Sequence, residues 1–309
     1  MTRSRAAAIA VALLLVLFTD LRAAPEPTRT STMASSFERY RYSIAARVRP
    51  LLVFWITRSG VGDAVVTRRR APGETSYSLL IGSDPDRAPR RINRWGYIEE
   101  TIHGGEAQLI GLMTKSDEDT VEQAEAGLKS QAAGHHPFKI IQATVTRGQA
   151  SSRVTSIPAP ENYTFRQLDT VLGLVGRAST GGRSRVLALP PDTRPGFLAA
   201  LADAMHASSP RPIRYVYDGR LYELRETHIQ QEANLQVGQA SYGRAIAADF
   251  VITSEYDGER TPFSMTYGLD GRFAEVPLFV RYQPRWWMQV ELTIENTDEE
   301  PARSEGTGR

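Results

Sequence analysis

Alternation of apolar and polar residues recurs along the chain and predicts a protein built mainly of β-strands. The clearest runs with this period of two are Phe37–Val48, Trp95–Ile102, Phe138–Thr146 and Ala245–Ser254. Neighbouring side chains on a strand point to opposite faces of a sheet, so this period is typical of strands with one buried face. The chain is therefore expected to bury one side of an extended sheet.

Turn-forming residues separate the runs and predict that consecutive strands pair as hairpins. Three Asp-Gly pairs, at Asp218-Gly219, Asp257-Gly258 and Asp270-Gly271, mark turns in the last third of the chain. Asp-Gly is a strong hairpin signal because both residues tolerate a positive φ. Ala71–Gly73 predicts an earlier hairpin in the same way. The pattern favours antiparallel strands joined locally.

Helical signals are confined to three segments. Ser116 begins a capping pattern that predicts a helix ending near Gly134. Thr164–Val175 places five apolar residues on one helical face, and a further helix is predicted from about Pro195 to His206. We expect the last two helices to cover one face of a sheet. The predicted fold class is α+β, with a curved, half-barrel-like antiparallel sheet and a few covering helices; one sheet or two remains open.

The first 23 residues have the pattern of a signal peptide. Arg3 and Arg5 precede the uninterrupted apolar run Ala6–Phe18, which is short for a permanent membrane span. Cleavage is expected after Ala23, which would place the protein in the periplasm or outside the cell. An uncleaved N-terminal anchor is the alternative, because Leu21 stands where a small residue is preferred.

Four further segments follow the leader in the predicted organisation. Residues 24–36 have linker composition, and residues 37–157 form a β-rich region with one helix. Residues 158–295 contain two helices followed by an antiparallel meander, and residues 296–309 are polar, acidic and expected to be disordered. Pro158 and Pro160 mark the predicted internal boundary.

Charge and composition exclude several classes of function. The formal net charge is +2, and the leader alone supplies it with three arginines against one aspartate. A neutral mature chain argues against nucleic acid as a partner. Cysteine is absent, which excludes disulfides, thiolate nucleophiles and cysteine-ligated metals. No phosphate loop, G-x-S-x-G or H-E-x-x-H motif occurs, so we predict no enzyme activity, no cofactor and no metal.

Two pairs of adjacent residues could suggest chemistry. His135-His136 and Glu99-Glu100 each combine groups that ligate metals or transfer protons. Neighbours on an extended chain point to opposite faces, so neither pair is expected to act on one ion or one substrate. An enzyme would require Glu99 or Glu100 to converge with a histidine from elsewhere in the chain.

The stretch Tyr267–Glu291 is the densest aromatic and apolar run of the mature chain. It predicts strand structure buried on both sides, as does Leu51–Thr57. Aromatic residues in such a strand could line an apolar pocket together with the covering helices. The candidate ligand-binding residues are Trp286, Trp287, Phe279, Tyr282, Phe165 and Phe197.

An arginine-rich region lies between residues 68 and 94. Arg68, Arg70 and Arg91 form a candidate anion site if the hairpin and the following turn bring them together. The alternative is a solvated strand edge, where cations discourage aggregation.

The leader, the Asp-Gly meander and the closing VPLFVRYQPRWWMQVEL at Val276–Leu292 resemble exported bacterial domains of unknown function that are similar in shape to periplasmic lipoprotein carriers. The resemblance covers Ile213–Leu292. It implies an unclosed antiparallel barrel whose helices plug an apolar cavity. The expected function is non-enzymatic binding of a lipid or an acylated protein, with transient membrane contact. The alternative is an envelope interaction module whose exposed strand edges pair with a partner.

Overall fold

A computed structural model describes residues 35–49, 55–114, 135–160, 162–175, 182–207, 209–237, 240–285 and 288–295. Fourteen strands of this part form one antiparallel sheet, and two short strands form a separate ribbon. The strands are β1 (Ser36–Val48), β2 (Ile56–Ala71), β3 (Glu74–Ser83), β4 (Trp95–His103), β5 (Glu106–Thr114), β6 (His135–Thr146), β7 (Gln149–Pro160), β8 (Arg183–Ala188), β9 (Ile213–Tyr217), β10 (Arg220–Glu232), β11 (Gln236–Val237), β12 (Ala240–Ser241), β13 (Ala245–Ser254), β14 (Arg260–Gly268), β15 (Pro277–Arg285) and β16 (Met288–Ile294). The helices are α1 (Leu168–Val175) and α2 (Phe197–His206).

The sheet consists of two meanders joined edge to edge. Strands β8 to β1 follow one another in reverse chain order, and β1 then pairs with β16, which continues through β15, β14, β13 and β10 to β9. The joint is an antiparallel ladder with Ala46 opposite Val290. The predicted α+β class with a curved, unclosed antiparallel sheet is confirmed, and both halves of the chain belong to the same sheet.

One face of the sheet, here called the inner face, carries the largest core. Leu79, Ile98 and Ile141 lie on this face in the first meander, and Phe250 and Val280 lie on it in the second. All five are nearly inaccessible to solvent. The two meanders thus bury their apolar sides against a shared interior.

The sheet curls so far that β9 crosses the inner face of β5 to β7. Val216 packs into a cluster with Leu109 and Val145. At the end of β9, Asp218 forms an ion pair with Lys139 of β6, with 2.5 Å between Oδ2 and Nζ. Side chains of β9 thus lie inside the roll, and among the described strands β8 and β9 form the two ends of the sheet.

The two helices lie on opposite faces of the sheet, which corrects the prediction that they cover the same face. Val171 and Val175 of α1 pack on Trp95 and Leu112, which alternate with the inner-face residues of β4 and β5 and so mark the outer face. α2 lies in the interior. In the chain, β8 lies between the two helices. The chain passes from α1 on the outer face through β8, and α2 then lies on the inner face.

Strand β7 extends through Pro158 to Pro160, where the internal boundary was predicted. The helix predicted between Ser116 and Gly134 lies outside the described residues, as do positions 51–54. Ile56 of β2 is 45% exposed, so the expectation of a strand buried on both faces is wrong there. No helix in the described part of the chain has the length and apolar character of a membrane span.

The turn between β9 and β10 provides a stability test with a matched control. Gly219 and Gly258 both follow an aspartate and both have a positive φ, of 65° and 73°. A Cβ on Gly219 would lie 2.3 Å from the Ser152 hydroxyl, whereas a Cβ on Gly258 would meet nothing within 4 Å. Gly258→Ala should cost about 1 kcal/mol for the backbone strain, and Gly219→Ala about 1–3 kcal/mol more for the clash. Equal losses in urea unfolding would contradict the docking of this turn on β7.

Candidate functional site

The predicted ligand-binding aromatics do not share one pocket. Tyr282 and Phe197 belong to the inner core, whereas Phe165 packs on the outer face with α1. Phe279 is three positions from Tyr282 on the same strand and therefore faces outward. Its ring lies 5.4 Å from the Arg281 guanidinium. Trp286 and Trp287 lie outside the described residues. The exposed Arg281 and the half-buried Phe279 also show that β15 is buried on one face and not on both.

Helix α2 occupies the interior beside Tyr282. Eight of its ten residues are buried, and only Asp203 and His206 reach solvent. A helix that is apolar on all sides is typical of a fully enclosed position. The Phe197 ring lies 5.6 Å from the Tyr215 ring and 6.5 Å from the Phe263 ring. The space in which the sequence predicted an apolar ligand is thus occupied by the protein's own helix.

Glu100 holds the beginning of α2. Its side chain lies on the inner face of β4 and is completely buried. Its two carboxylate oxygens accept hydrogen bonds from the Leu198 and Ala199 amides, at 2.8 and 2.9 Å. Burial raises the pKa of Glu100 to about 7, and the bonds from the α2 amides lower it in part. A Cβ on Gly196 would lie 2.2 Å from this carboxyl group, so the close approach requires glycine.

Glu226 is a second acid in the interior. It lies on β10 opposite Phe250 and is only 8% exposed. The Tyr267 hydroxyl donates to its carboxylate, and burial raises the pKa of Glu226 to about 7. Its Oε1 atom is buried without a hydrogen-bond partner among the described residues. Buried acceptors are normally satisfied, so this oxygen could accept a bond from a ligand.

The three candidate anion-binding arginines are separated. Arg68 and Arg70 both lie on the inner face of β2, and Arg68 forms an ion pair with Glu38 of β1. Arg91 lies in the turn before β4, where its guanidinium is 3.8 Å from Asp86. The Asp84 amide of that turn donates to the Val61 carbonyl of β2. Val61 lies about 20 Å along β2 from Arg68. The structure therefore does not bring Arg91 to the other two.

Glu99 and Glu100 lie on opposite faces of β4. Glu99 accepts a hydrogen bond from the Tyr97 hydroxyl at 2.9 Å on the outer face, while Glu100 contacts α2 inside. The side chains of His135 and His136 lie outside the described part, and no cluster of metal-ligating side chains occurs within it. The arrangement of Glu99 and Glu100 gives no acid–base pair across a cleft.

Strand β8 is the open edge of the sheet. β8 pairs with β7 on one side, and no described strand pairs with its other side. The Leu189 amide donates to the Gly148 carbonyl at 2.8 Å, which fixes the direction of the main-chain groups. In an antiparallel ladder these groups alternate, so Arg185 and Leu187 bond toward β7. The outward main-chain groups are those of Ser184, Val186 and Ala188.

The other edge of the sheet is covered in part. The Arg194 amide donates to the Arg214 carbonyl at 2.8 Å, and the Arg194 carbonyl accepts from the Val216 amide at 3.2 Å. This bridge satisfies outward groups of β9. Uncovered edges favour pairing with another chain. Among the described residues, β9 is thus protected in part, and the outward side of β8 has no strand partner.

The side chains of β8 are exposed on both faces. Val186 is 64% exposed on the outer face. Arg183 and Arg185 project from the inner face and are exposed, and neither forms an ion pair with a described residue. The Arg185 Cβ and Cδ would lie 3.2 and 3.3 Å from a Cβ on Gly219, so its stem rests on the turn between β9 and β10. This open edge, residues Arg183–Ala188, is the candidate functional site.

Two grooves lie beside the sheet edges, and polar or charged residues form half or more of the lining of each. One, of about 410 Å³, crosses β5 to β8 and includes Gln108, Gln142, Thr144, Arg153 and Ser184. The other, of about 530 Å³, lies beside β9 and includes Asp192, Arg194, Asp203, Arg211 and Glu223. Apolar ligands favour cavities with mostly apolar walls, so neither groove suits an acyl chain.

Sequence reasoning missed Glu226 and did not locate the open edge at β8. The position of β8 at the end of the sheet depends on pairings between strands far apart in the chain. Two arginines, Arg183 and Arg185, shortly before Val186 were the available signal. The chain matches no protein-family model, no curated protein and no solved structure.

Proposed function

We propose that the protein is a non-enzymatic interaction module of the cell envelope that binds an extended polypeptide segment along β8. The observation that carries this proposal is the outward main-chain row of Ser184, Val186 and Ala188, with no described partner. An added strand would satisfy these groups and extend the sheet. The leader-like N-terminus supports the location.

The rigidity of the edge favours such binding. β8 is held by a ladder of six residue pairs to β7, which in turn pairs with β6 over twelve. A prearranged strand loses little conformational entropy on binding. Most of the conformational entropy lost on binding would be that of the partner segment, so we expect moderate affinity.

Two substitutions of Val186 separate the contribution of its main chain to peptide binding from that of its side chain. Val186→Pro removes an outward N–H that β7 does not use, so folding should tolerate it. Val186→Thr keeps the N–H and the branched shape. We expect peptides selected from a displayed random library on the immobilised protein to bind Val186→Thr about as well as wild type. Val186→Pro should weaken binding at least about tenfold.

The contrary result is also defined. If Val186→Pro retains the wild-type melting temperature and binds the selected peptides with unchanged affinity, the edge is not the binding site. Failure of the library to yield any peptide that prefers wild type over Val186→Pro would equally contradict the proposal.

Binding of an apolar or amphipathic ligand, such as a lipid or an acylated protein, is a second candidate. The unpartnered Oε1 atom of Glu226 in an apolar interior favours it, as does the resemblance to lipoprotein carriers. The test is uptake of a fluorescent fatty acid together with native mass spectrometry of protein purified from its own envelope. Glu226→Leu should reduce binding of a hydroxyl- or amine-bearing ligand. A ligand-free mass and no uptake would contradict it.

A further inference from the structure

The charge on β8 suggests what kind of segment it would bind, and this inference rests on the proposed function. Arg183 and Arg185 are two residues apart and therefore project from the same face. Val186 projects from the opposite face, flanked by Ser184 and Ala188. Any strand added to β8 would place alternate side chains beside these two rows.

The inner-face row of β8 carries two positive charges, and no described carboxylate forms an ion pair with Arg183 or Arg185. Asp218 of the neighbouring turn already bonds Lys139. The nearest partner on β7, Ser152, is uncharged. Directly opposed cross-strand pairs of unlike charge stabilise a sheet, and pairs of like charge destabilise it. Acidic side chains on the added strand would therefore lie beside Arg183 and Arg185.

The outer-face row has the opposite preference. Val186 is the large exposed apolar side chain of this row, and burying it against an apolar or β-branched neighbour removes apolar surface from water. A partner strand is expected to alternate accordingly, with acidic residues on one side and apolar residues on the other.

We propose that β8 binds an extended segment of another protein in which acidic and apolar residues alternate. The acidic residues pair with Arg183 and Arg185, and the apolar residues cover Val186. A second copy of this chain fits less well, because antiparallel self-pairing would bring four arginines to one face of the joined sheet.

The probe is an octapeptide of alternating Glu and Val with blocked termini. Its Glu amides are N-methylated, so that it can pair antiparallel only through the edge of its Val amides, which places Val opposite Val186. Controls are the same peptide with Lys in place of Glu, and a version methylated on both edges that cannot pair at all. Calorimetry against the full chain should show the Glu peptide binding about tenfold more tightly than the Lys peptide. The double variant Arg183→Glu/Arg185→Glu should reverse this preference.

Each outcome discriminates. Equal binding of the Glu and Lys peptides, with loss of both in Val186→Pro, would overturn the acidic preference and leave strand pairing intact. Binding that survives both methylation of both edges and Val186→Pro would show that attraction is electrostatic alone and overturn the pairing mode. No binding of either peptide would overturn the inference. A wild type that sediments as a dimer, with a monomeric Val186→Pro, would assign the edge to a second copy.

Discussion

Replacing Glu100 with alanine is expected to destabilise the protein by about 3–5 kcal/mol, because the change leaves two buried amides unsatisfied and creates a cavity. The amides are those of Leu198 and Ala199, which begin the helix that fills the roll. Water cannot replace the carboxylate readily, since the residue has no exposed surface. The loss should appear in urea unfolding as a lower midpoint with an unchanged slope.

Glu99→Ala is the matched control for this change. It alters the neighbouring residue on the other face of β4, where one hydrogen bond from Tyr97 is lost at a partly exposed position. The expected cost is about 0.5–1 kcal/mol. Similar losses for the two variants would mean that Glu100 does not anchor α2.

The pH dependence of stability should be opposite to that expected for a protein stabilised by surface ion pairs. Burial raises the pKa of Glu100 and of Glu226 from 4.5 to about 7. Both groups therefore bind a proton more tightly in the folded than in the unfolded chain. This contribution to stability is complete below about pH 4.5 and is lost as the pH rises through about 7.

The size of the effect differs between the two acids. Glu100 should contribute about 3 kcal/mol between about pH 5 and pH 8, and Glu226, which is less deeply enclosed, about 1–2 kcal/mol. Glu226→Gln should accordingly be more stable than wild type at about pH 8 and nearly equal to it at about pH 5. Denaturant unfolding at both pH values measures this. A wild type that is no less stable at the higher pH would refute the account of the buried acids.

The local structure was largely predictable because it depends on short-range patterns. The Asp218-Gly219 turn has a positive φ at both residues, as an Asp-Gly hairpin requires. Thr164 caps the turn of helix before α1, with its side chain bonded to the Arg166 amide. Such features are fixed by neighbouring residues, and the strand periodicity along Phe37–Val48 corresponds to β1.

The arrangement of these elements was not predictable in the same way. The pairing of β1 with β16 joins residues about 250 positions apart, and no local pattern specifies it. Placement of α1 and α2 on opposite faces depends on the path of the chain after β8, which no local pattern specifies either. The aromatic run at Tyr267–Glu291 was informative about strand structure, but alternation sends Phe279 and Tyr282 to different faces.

The candidate site was missed for a related reason. Whether a strand forms an edge depends on the whole sheet. β8 is an edge because no described strand pairs with its outward side. Glu226 was hidden because its burial depends on Tyr267 and Phe250 from other strands.

Amide hydrogen exchange measured by NMR, with and without a peptide selected on the wild-type protein, tests strand addition at β8 most directly. We expect the outward amides of Ser184, Val186 and Ala188 to exchange at least about tenfold more slowly in the complex. The amides of Arg185 and Leu187, which bond toward β7, should change little. Unchanged exchange at the three outward amides, with protection appearing elsewhere on the saturated protein, would contradict the proposal.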